Sequence, residues 1–399
     1  MHSESRIKFE EGDIEYFDTA MDLPDDLWDD NFDDDQVLMK KASLLALEKG
    51  SQFTFIPSYF LFRKGELIIP FYFQQYPLSK STIGEILNLN GWANAFTSLL
   101  LQLGNGISGK NYNLLVCGNI LASGSPGFPV KFLSQKVNLD KAFIDSFIPY
   151  LKQHNPLLGD PFVVLYKDLD ATKNHFFDRT TLNKNVKLPL EPFMSMEIDK
   201  NWNTFDDYLN SLSSKYRVGA KSTIKKFDQI TSVEFEVEDI TACSSHIDEL
   251  YSKVEERAKI RLSKVNPSYF SEMKKVWGDQ FVFRVFLLKD KPLAFTSALY
   301  LNDQGDAHLI GFDDQNNQKF SLYHNLLFTF IDDGIKNKVK RLNFGRTAPE
   351  IKSSVGATTE ATDCFVVFSE QNFGSLANRA VSRMSEGQYN IRHPFRKNS

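Results

Sequence analysis

The chain has 399 residues, 42% of them apolar and 13% aromatic, with a formal charge of −5. That length exceeds one ordinary hydrophobic core and sets two domains as the expectation, while the acidic balance does not favour nucleic acid as a partner. No apolar run reaches the roughly 18 residues a membrane-spanning helix needs. Three cysteines (Cys117, Cys243, Cys364) lie far apart with no CxxC pair and no metal-ligand spacing, which fits free thiols in a reducing cytoplasm and predicts no metal site. The opening MHSESRIKFEEGD lacks a basic segment leading into an apolar run, so no signal peptide is expected.

The first half begins with an acidic run, DLPDDLWDDNFDDD, from Asp22 to Asp35. Its charge density reads as a solvated, self-repelling surface segment, although Trp28 and Phe32 indicate that part of it packs down. It lacks the D-x-D-x-D-G loop and distal Glu of a calcium site. From Gln36, VLMKKASLLALEKG predicts a helix ending at Gly50, and Phe53 to Gln75 a hairpin turning at Lys64–Gly65. An apolar stretch follows at 96–104, then a strand and Gly-rich loop from Tyr112 to Phe128, a helix from Phe143 to Gln153 and a strand from Pro161 to Leu169. The segment GNGISGKN (104–111) nearly spells a phosphate-binding loop. Asn111 stands where Ser or Thr is required, and the segment precedes a strand instead of joining strand to helix. In the later loop, Pro126 and Pro129 remove N–H donors.

The second half opens with a basic segment, SSKYRVGAKSTIKKF, carrying Lys215, Arg217, Lys221, Lys225 and Lys226. It reads either as a solvated face or as a positive rim for an anionic substrate. A long helix is predicted from His246 to Val265, with Glu255, Glu256, Arg257 and Arg261 spaced for intrahelical pairs. Three strands follow, turning at Lys289–Pro292 and Asn302–Asp306. The last of them, Ala307–Phe312, leads into a polar loop, Asp313 to Phe320. An amphipathic helix then runs from Ser321 to about Asn337, with Leu322, Leu326, Leu327, Phe330, Ile331 and Ile335 on one stripe. A strand from Lys340 to Arg346, a helical turn ended by Gly356 and a strand from Asp363 complete the order. The first half shows a similar order, which suggests an internal duplication divided near residue 190. The helix start at Ser321 offers N–H groups and a positive dipole end suited to a pyrophosphate, with Lys319 adding charge and Ser321 placed to cap it.

This order resembles the acyl-CoA N-acyltransferase (GNAT) fold. Phe344, Gly345 and Arg346, followed by Ile351, Lys352 and Gly356, resemble the FemAB-like, tandem-GNAT branch, as does Glu191–Lys226 with its Pro-containing strand, short helix and L-S-x-K-x-R helix. The resemblance covers the last half well and the first half loosely. It implies an α+β (mixed α/β) protein of two GNAT-like domains, 1–190 and 191–399, each a mixed central sheet flanked by helices, the first expected to lack a working cofactor site. The implied activity is transfer of an acyl group, long chains included, from acyl-CoA to the amine of an amino acid, amino sugar or amino lipid. Acyl-CoA would be a co-substrate, with no permanently bound cofactor, and peripheral membrane contact is compatible with such an acceptor. Two alternatives stay open: a FemAB-type transferase using aminoacyl-tRNA to extend a peptidoglycan bridge, and a non-catalytic binding module.

The resemblance directs attention to the strand before the cofactor helix. His308 is its one side chain that titrates near neutrality, and alternation sets it beside Ile310 and Phe312. It is a candidate base or a structural histidine, with Asp313 or Glu255 as substitutes. Tyr323 is a candidate acid for the leaving thiolate. Lys319, Phe320, Ser321, Leu322 and His324 form the candidate cofactor segment, and Arg346, Lys352 and Arg217 are candidate substrate contacts. No Ser–His–Asp or Cys–His set is recognisable, which favours direct attack over an acyl-enzyme. The 35 phenylalanines either fill two cores or border an acyl tunnel, Phe281, Phe283, Phe286, Phe295, Phe328 and Phe330 being the candidates.

Overall fold

The computed structural model describes residues 12–33, 35–50, 55–78, 112–131, 162–170, 185–188, 191–257, 264–368 and 389–396. The readings at 96–104, 104–111, Phe143–Gln153 and Arg261 lie outside them. The described strands are β1 (Asp13–Phe17), β2 (Ile56–Lys64), β3 (Leu67–Leu78), β4 (Tyr112–Cys117), β5 (Phe162–Asp170), β6 (Asn185–Leu188), β7 (Phe193–Glu197), β8 (Thr231–Glu234), β9 (Phe281–Leu288), β10 (Lys291–Leu301), β11 (Gln304–Phe312), β12 (Arg341–Gly345), β13 (Thr358–Glu360) and β14 (Thr362–Phe368). The helices are α1 (Asp25–Asp29), α2 (Lys41–Gly50), α3 (Phe205–Ser211), α4 (Ser214–Lys225), α5 (Val237–Ala242), α6 (Ser244–Glu255), α7 (Pro267–Trp277), α8 (Asp314–Phe320), α9 (Leu322–Lys336) and α10 (Pro349–Ser354).

These strands build two seven-stranded mixed sheets, ordered β1-β2-β3-β4-β5-β14-β6 and β13-β7-β12-β11-β10-β9-β8. Each contains one parallel pair, β4 with β5 and β11 with β12. The α+β expectation of two mixed sheets flanked by helices holds. One strand departs from the expected order: β14 lies in the first sheet, antiparallel to both β5 and β6. Cys364 and Val366 pack into one core cluster and Phe365 and Val367 into another. A strand apolar on both faces requires an interior position in a sheet covered on both sides.

The acidic run keeps Asp22, Asp25, Asp26, Asp30 and Asp35 exposed, as a solvated segment should, while Trp28 and Phe32 pack down. Its centre is α1, whose Trp28 is fully buried and donates from Nε1 to the Met39 carbonyl at 2.9 Å. Two of its carboxylates, Asp25 and Asp29, meet the start of α2. The Asp29 carboxylate accepts from the Lys41 backbone N–H at 2.7 Å, and Lys41 Nζ lies 2.6 Å from Asp25. A carboxylate at a helix N-terminus is favoured by the unpaired N–H groups there.

Helix α2 docks across the chain onto α7. The Asn266 N–H donates to the Gly50 carbonyl at 3.0 Å, and Trp277 Nε1 donates to Ser43 Oγ at 2.9 Å. Gly50 sits so close that a Cβ there would overlap the backbone of Tyr269. Gly50→Ala is therefore expected to lower stability by about 1–3 kcal/mol through overpacking. A urea midpoint equal to wild type would show that the two helices separate without penalty.

The phenylalanines of β9 and β10 are core. Phe283 and Phe295 stack with centroids 5.1 Å apart, Phe270 packs on both, and Phe281 lies in the same cluster. Phe286 packs on Phe227, and Phe328 on Phe205. The tunnel reading fails for Phe281, Phe283, Phe286, Phe295 and Phe328, none of which lines the large cavity described below, and holds open only for Phe330.

Between β11 and α9 the expected polar loop is the helix α8. Asp313 caps it, accepting from the Gln315 N–H at 2.9 Å. Ser321 then turns left-handed (φ 51°, ψ 46°), and α9 starts at Leu322. Ser321 does not cap α9. Its hydroxyl accepts from Lys226 Nζ at 3.1 Å, while the Tyr323 N–H at the helix start donates to Asn317 Oδ1 at 3.0 Å.

Candidate active site at a fork between two strands

Strand β11 pairs with β12 only at Gln304–Arg341, Gly305–Leu342 and Asp306–Asn343. Beyond Asp306 the two strands part. On the other edge β11 pairs with β10, but Ser297 faces Leu309 while Ala298 faces Ala307, leaving His308 as an extra, bulged residue. Ser297 Oγ brackets the bulge, accepting from the Leu309 N–H at 3.0 Å and donating to the Leu309 carbonyl at 2.9 Å. A bulge breaks the two-residue alternation and re-aims the side chain it carries, so His308 does not follow the register expected with Ile310 and Phe312.

The fork opens onto a cavity of about 790 Å³. Its walls are residues 306–310 and Phe312 of β11, residues 344–348 beyond the pairing on β12, Tyr323, Leu326, Leu327 and Phe330 of α9, and the end of α6. The first half of the chain contributes Leu165, Lys167, Asp168 and the loop 120–123.

Five of the residues singled out from sequence meet on this wall: His308, Glu255, Tyr323, Arg346 and Lys352. The others lie elsewhere. Asp313 caps α8 and pairs with Lys253 at 3.2 Å. Lys319 Nζ sits 4.8 Å above the Phe320 ring, and Phe320 and Leu322 belong to a buried cluster. His324 is held below the usual histidine range by burial and by Arg392 and Lys226. Arg217 donates to the Leu212 carbonyl at 3.3 Å.

His308 Nε2 hydrogen-bonds the Tyr269 hydroxyl at 2.7 Å, and its Nδ1 is buried without a partner. Burial pushes its pKa down to about 4, so the imidazole is neutral at physiological pH. Where Tyr269 donates, Nδ1 carries the proton. Where Tyr269 accepts, Nδ1 is a bare base.

Asp306, the last paired residue of the fork, was missed in sequence because Asn302–Asp306 reads as a turn. The turn is Asn302–Asp303 alone, and Asp306 lies within β11. Its one signal is residue type, since Asp is depleted in strands. It accepts from Asn343 Nδ2 at 3.3 Å, and burial raises its carboxyl to about 7.

A buried ionic cluster closes one side of the cavity. Lys167 Nζ lies 2.5 Å from Asp168 Oδ2 and donates to the carbonyls of Ala122 and Ser125 at 2.8 and 2.9 Å. Arg346 donates to Asp168 Oδ1, to Thr362 Oγ1 at 2.7 Å and to the Glu191 carbonyl. Burial alone would push the Asp168 carboxyl up, but Lys167 and Arg346 together hold it below the usual range. Lys352 donates from Nζ to the carbonyls of Arg346 and Gly345, and burial lowers its pKa to about 7. Cys364, also on the wall, is pushed up to about 11 by burial and remains a thiol. Neutral imidazole, a carboxyl and an amine that titrate near 7, and an unpaired strand edge thus share one mostly apolar chamber. Such a set can accept and return protons beside a bound carbonyl.

No family model matches the chain, and no curated protein matches it in sequence. Solved structures do. The crystal structure of FemX is 11% identical, covers 91% of this chain and 99% of its own, and superposes with a TM-score of 0.52. A conserved protein from Bacteroides thetaiotaomicron VPI-5482 is 12% identical over 89% of this chain and 99% of its own, with a TM-score of 0.49. A tandem GNAT protein from the clavulanic acid biosynthesis pathway is 6% identical over 90% and 99%, also at 0.49. The likeness to FemX shows the fold: this chain has the FemAB-like, tandem-GNAT fold that its motifs resemble. Among the described residues no group of three or more His, Cys, Asp or Glu is placed to hold a metal ion, and no helix is long and apolar enough to cross a membrane.

Proposed function

We propose that this chain is an N-acyltransferase that moves an acyl group from an acyl thioester, acyl-CoA, to an amine by direct attack at the β11–β12 fork. The observation that carries the reading is the parting of the two strands after Asp306 onto a chamber holding a neutral His308 and a carboxyl that titrates near 7. An unpaired strand edge offers backbone N–H groups to a thioester carbonyl, where charge develops in the transition state. Asp306 takes the amine proton, with His308 beside it at the bulge. Tyr323, whose hydroxyl is kept protonated by burial, is the proton donor for the departing thiolate. Lys352 neutralises charge at the far side. The chemistry belongs to 191–399, and 1–190 completes the wall.

A second reading, aminoacyl transfer from aminoacyl-tRNA, is favoured by the likeness to FemX. Presenting acetyl-CoA, palmitoyl-CoA and aminoacyl-tRNA as donors separates the two. Turnover is expected with a CoA thioester. Because Leu326, Leu327, Phe330 and Phe344 line the chamber and each buried CH₂ contributes about 0.8 kcal/mol, the long chain should bind more tightly by orders of magnitude. A preference for acetyl-CoA would restrict the apolar wall to the carrier arm, and turnover with aminoacyl-tRNA alone would replace the proposal.

A further inference from the structure

A second cavity, of about 380 Å³, adjoins the first and shares Ala122, Ser123, Asp168 and Asp306 with it. Its floor is the paired part of the fork, Gln304–Asp306 with Arg341 and Asn343. Its roof comes from the other half of the chain, residues 35–38 and the loop 122–125. The donor occupies the larger cavity in the reading above, which leaves the smaller one to be explained. Asp306 stands between the two. A nitrogen that gives its proton to Asp306 from the smaller cavity faces a carbonyl held in the larger.

The charges on the smaller wall are unbalanced. Asp168, Asp306 and Glu360 line it against the guanidinium of Arg341. Arg341 is bound to Glu360, and Asp168 is held by Lys167 and Arg346. Among the described residues Asp306 has the Asn343 amide as its hydrogen-bond partner and no ion pair. A phosphate entering here would find no uncommitted cation on the wall. An ammonium would find a carboxylate.

We propose that the smaller cavity receives the acceptor and selects a small, net-cationic primary amine without phosphate groups, its ammonium lying against Asp306. The proposal deepens the acyl-transfer reading and rests on it. The ammonium gives one proton to the Asp306 carboxylate, and the freed lone pair forms the C–N bond at the thioester carbonyl. Collapse of the tetrahedral adduct breaks the C–S bond; Tyr323 gives its proton to the departing thiolate and is reprotonated by the second nitrogen proton. Amide and thiol leave, and Asp306 returns its proton to water.

Calorimetry tests this without turnover. Putrescine, L-lysine amide and ethanolamine are titrated into wild type, Asp306→Asn and Ala361→Trp, with 1,4-butanediol and glycerol 3-phosphate as uncharged and anionic controls. Ala361 is an exposed residue on the rim of the smaller cavity, so an indole there narrows its mouth without disturbing the core. Acetyl-CoA and palmitoyl-CoA are titrated in parallel. The proposal expects at least one amine to bind wild type and to bind each variant ten-fold or more weakly, with CoA thioester affinity unchanged in Ala361→Trp. Equal amine affinity in all three proteins overturns it. So do the absence of amine binding to wild type with and without acetyl-CoA, preference for glycerol 3-phosphate, and loss of thioester affinity in Ala361→Trp. Amine binding of the expected pattern together with no thioester binding keeps the acceptor cavity and removes the donor assignment instead.

Discussion

Asp168→Ala is expected to destabilise the protein by about 3–5 kcal/mol, because removing one partner of a buried ionic cluster leaves the others uncompensated. The Asp168 side chain has no exposure, and two cations converge on it, Lys167 from its own strand and Arg346 from the end of β12. Its charge therefore holds the two sheets together at the chamber wall. The contribution should also depend on pH. The folded carboxyl titrates below its unfolded value, so the stabilisation is present above about pH 4 and is lost as pH falls through the folded pKa. Urea unfolding of wild type and variant at neutral and acidic pH measures both effects. A loss below about 1 kcal/mol at neutral pH, on the scale of an exposed pair, would mean that water reaches Lys167 and Arg346 once Asp168 is gone.

Asp306→Asn is expected to lower kcat by roughly 10²–10⁴-fold, the usual contribution of a positioned general base. In wild type, kcat/KM should rise with pH as the carboxyl loses its proton, reaching half its plateau at about 7, and the variant should lose that limb. Lys167 is the cation near Asp306 and Asn343 its hydrogen-bond partner. Stability moves the other way. The folded carboxyl holds its proton more tightly than the unfolded one, so ionising it costs stability between about pH 4 and 7 and nothing further above. The variant, free of that cost, should melt no lower than wild type at pH 8. A variant that is both slow and unstable at pH 8 would mark Asp306 as structural, and a retained pH limb would assign the base elsewhere.

The parts of this architecture legible in sequence were those written in local periodicity. The hairpin β2–β3 and the stripe on α9 follow directly from alternation and helical spacing, and the resemblance carried by Phe344, Gly345 and Arg346 led to the strand end where the fork opens. Five of the twelve residues named from sequence meet on the chamber wall because they flank that fork. Asp306 was not legible because its character comes from burial and from Asn343, which is 37 positions away. Helix α8 was hidden because DQNNQKF carries a single large apolar residue and so shows no stripe. The bulge at His308 depends on Ser297, a partner no local pattern announces.

The seat of β14 has a consequence for how the polypeptide emerges from the ribosome. In the first sheet β14 stands between β5 and β6, so among the described residues β6 touches that sheet only through a strand 174 positions or more downstream of it. While residues up to 361 are being made, the edge of β5 that β14 will cover has no native partner, and an open edge invites wrong pairing. At about 5–20 residues per second, the interval between completing β6 and releasing β14 lasts roughly ten to a few tens of seconds. The nascent first half must be sheltered for that time, and an expression fragment stopping near residue 190 would keep the edge open permanently.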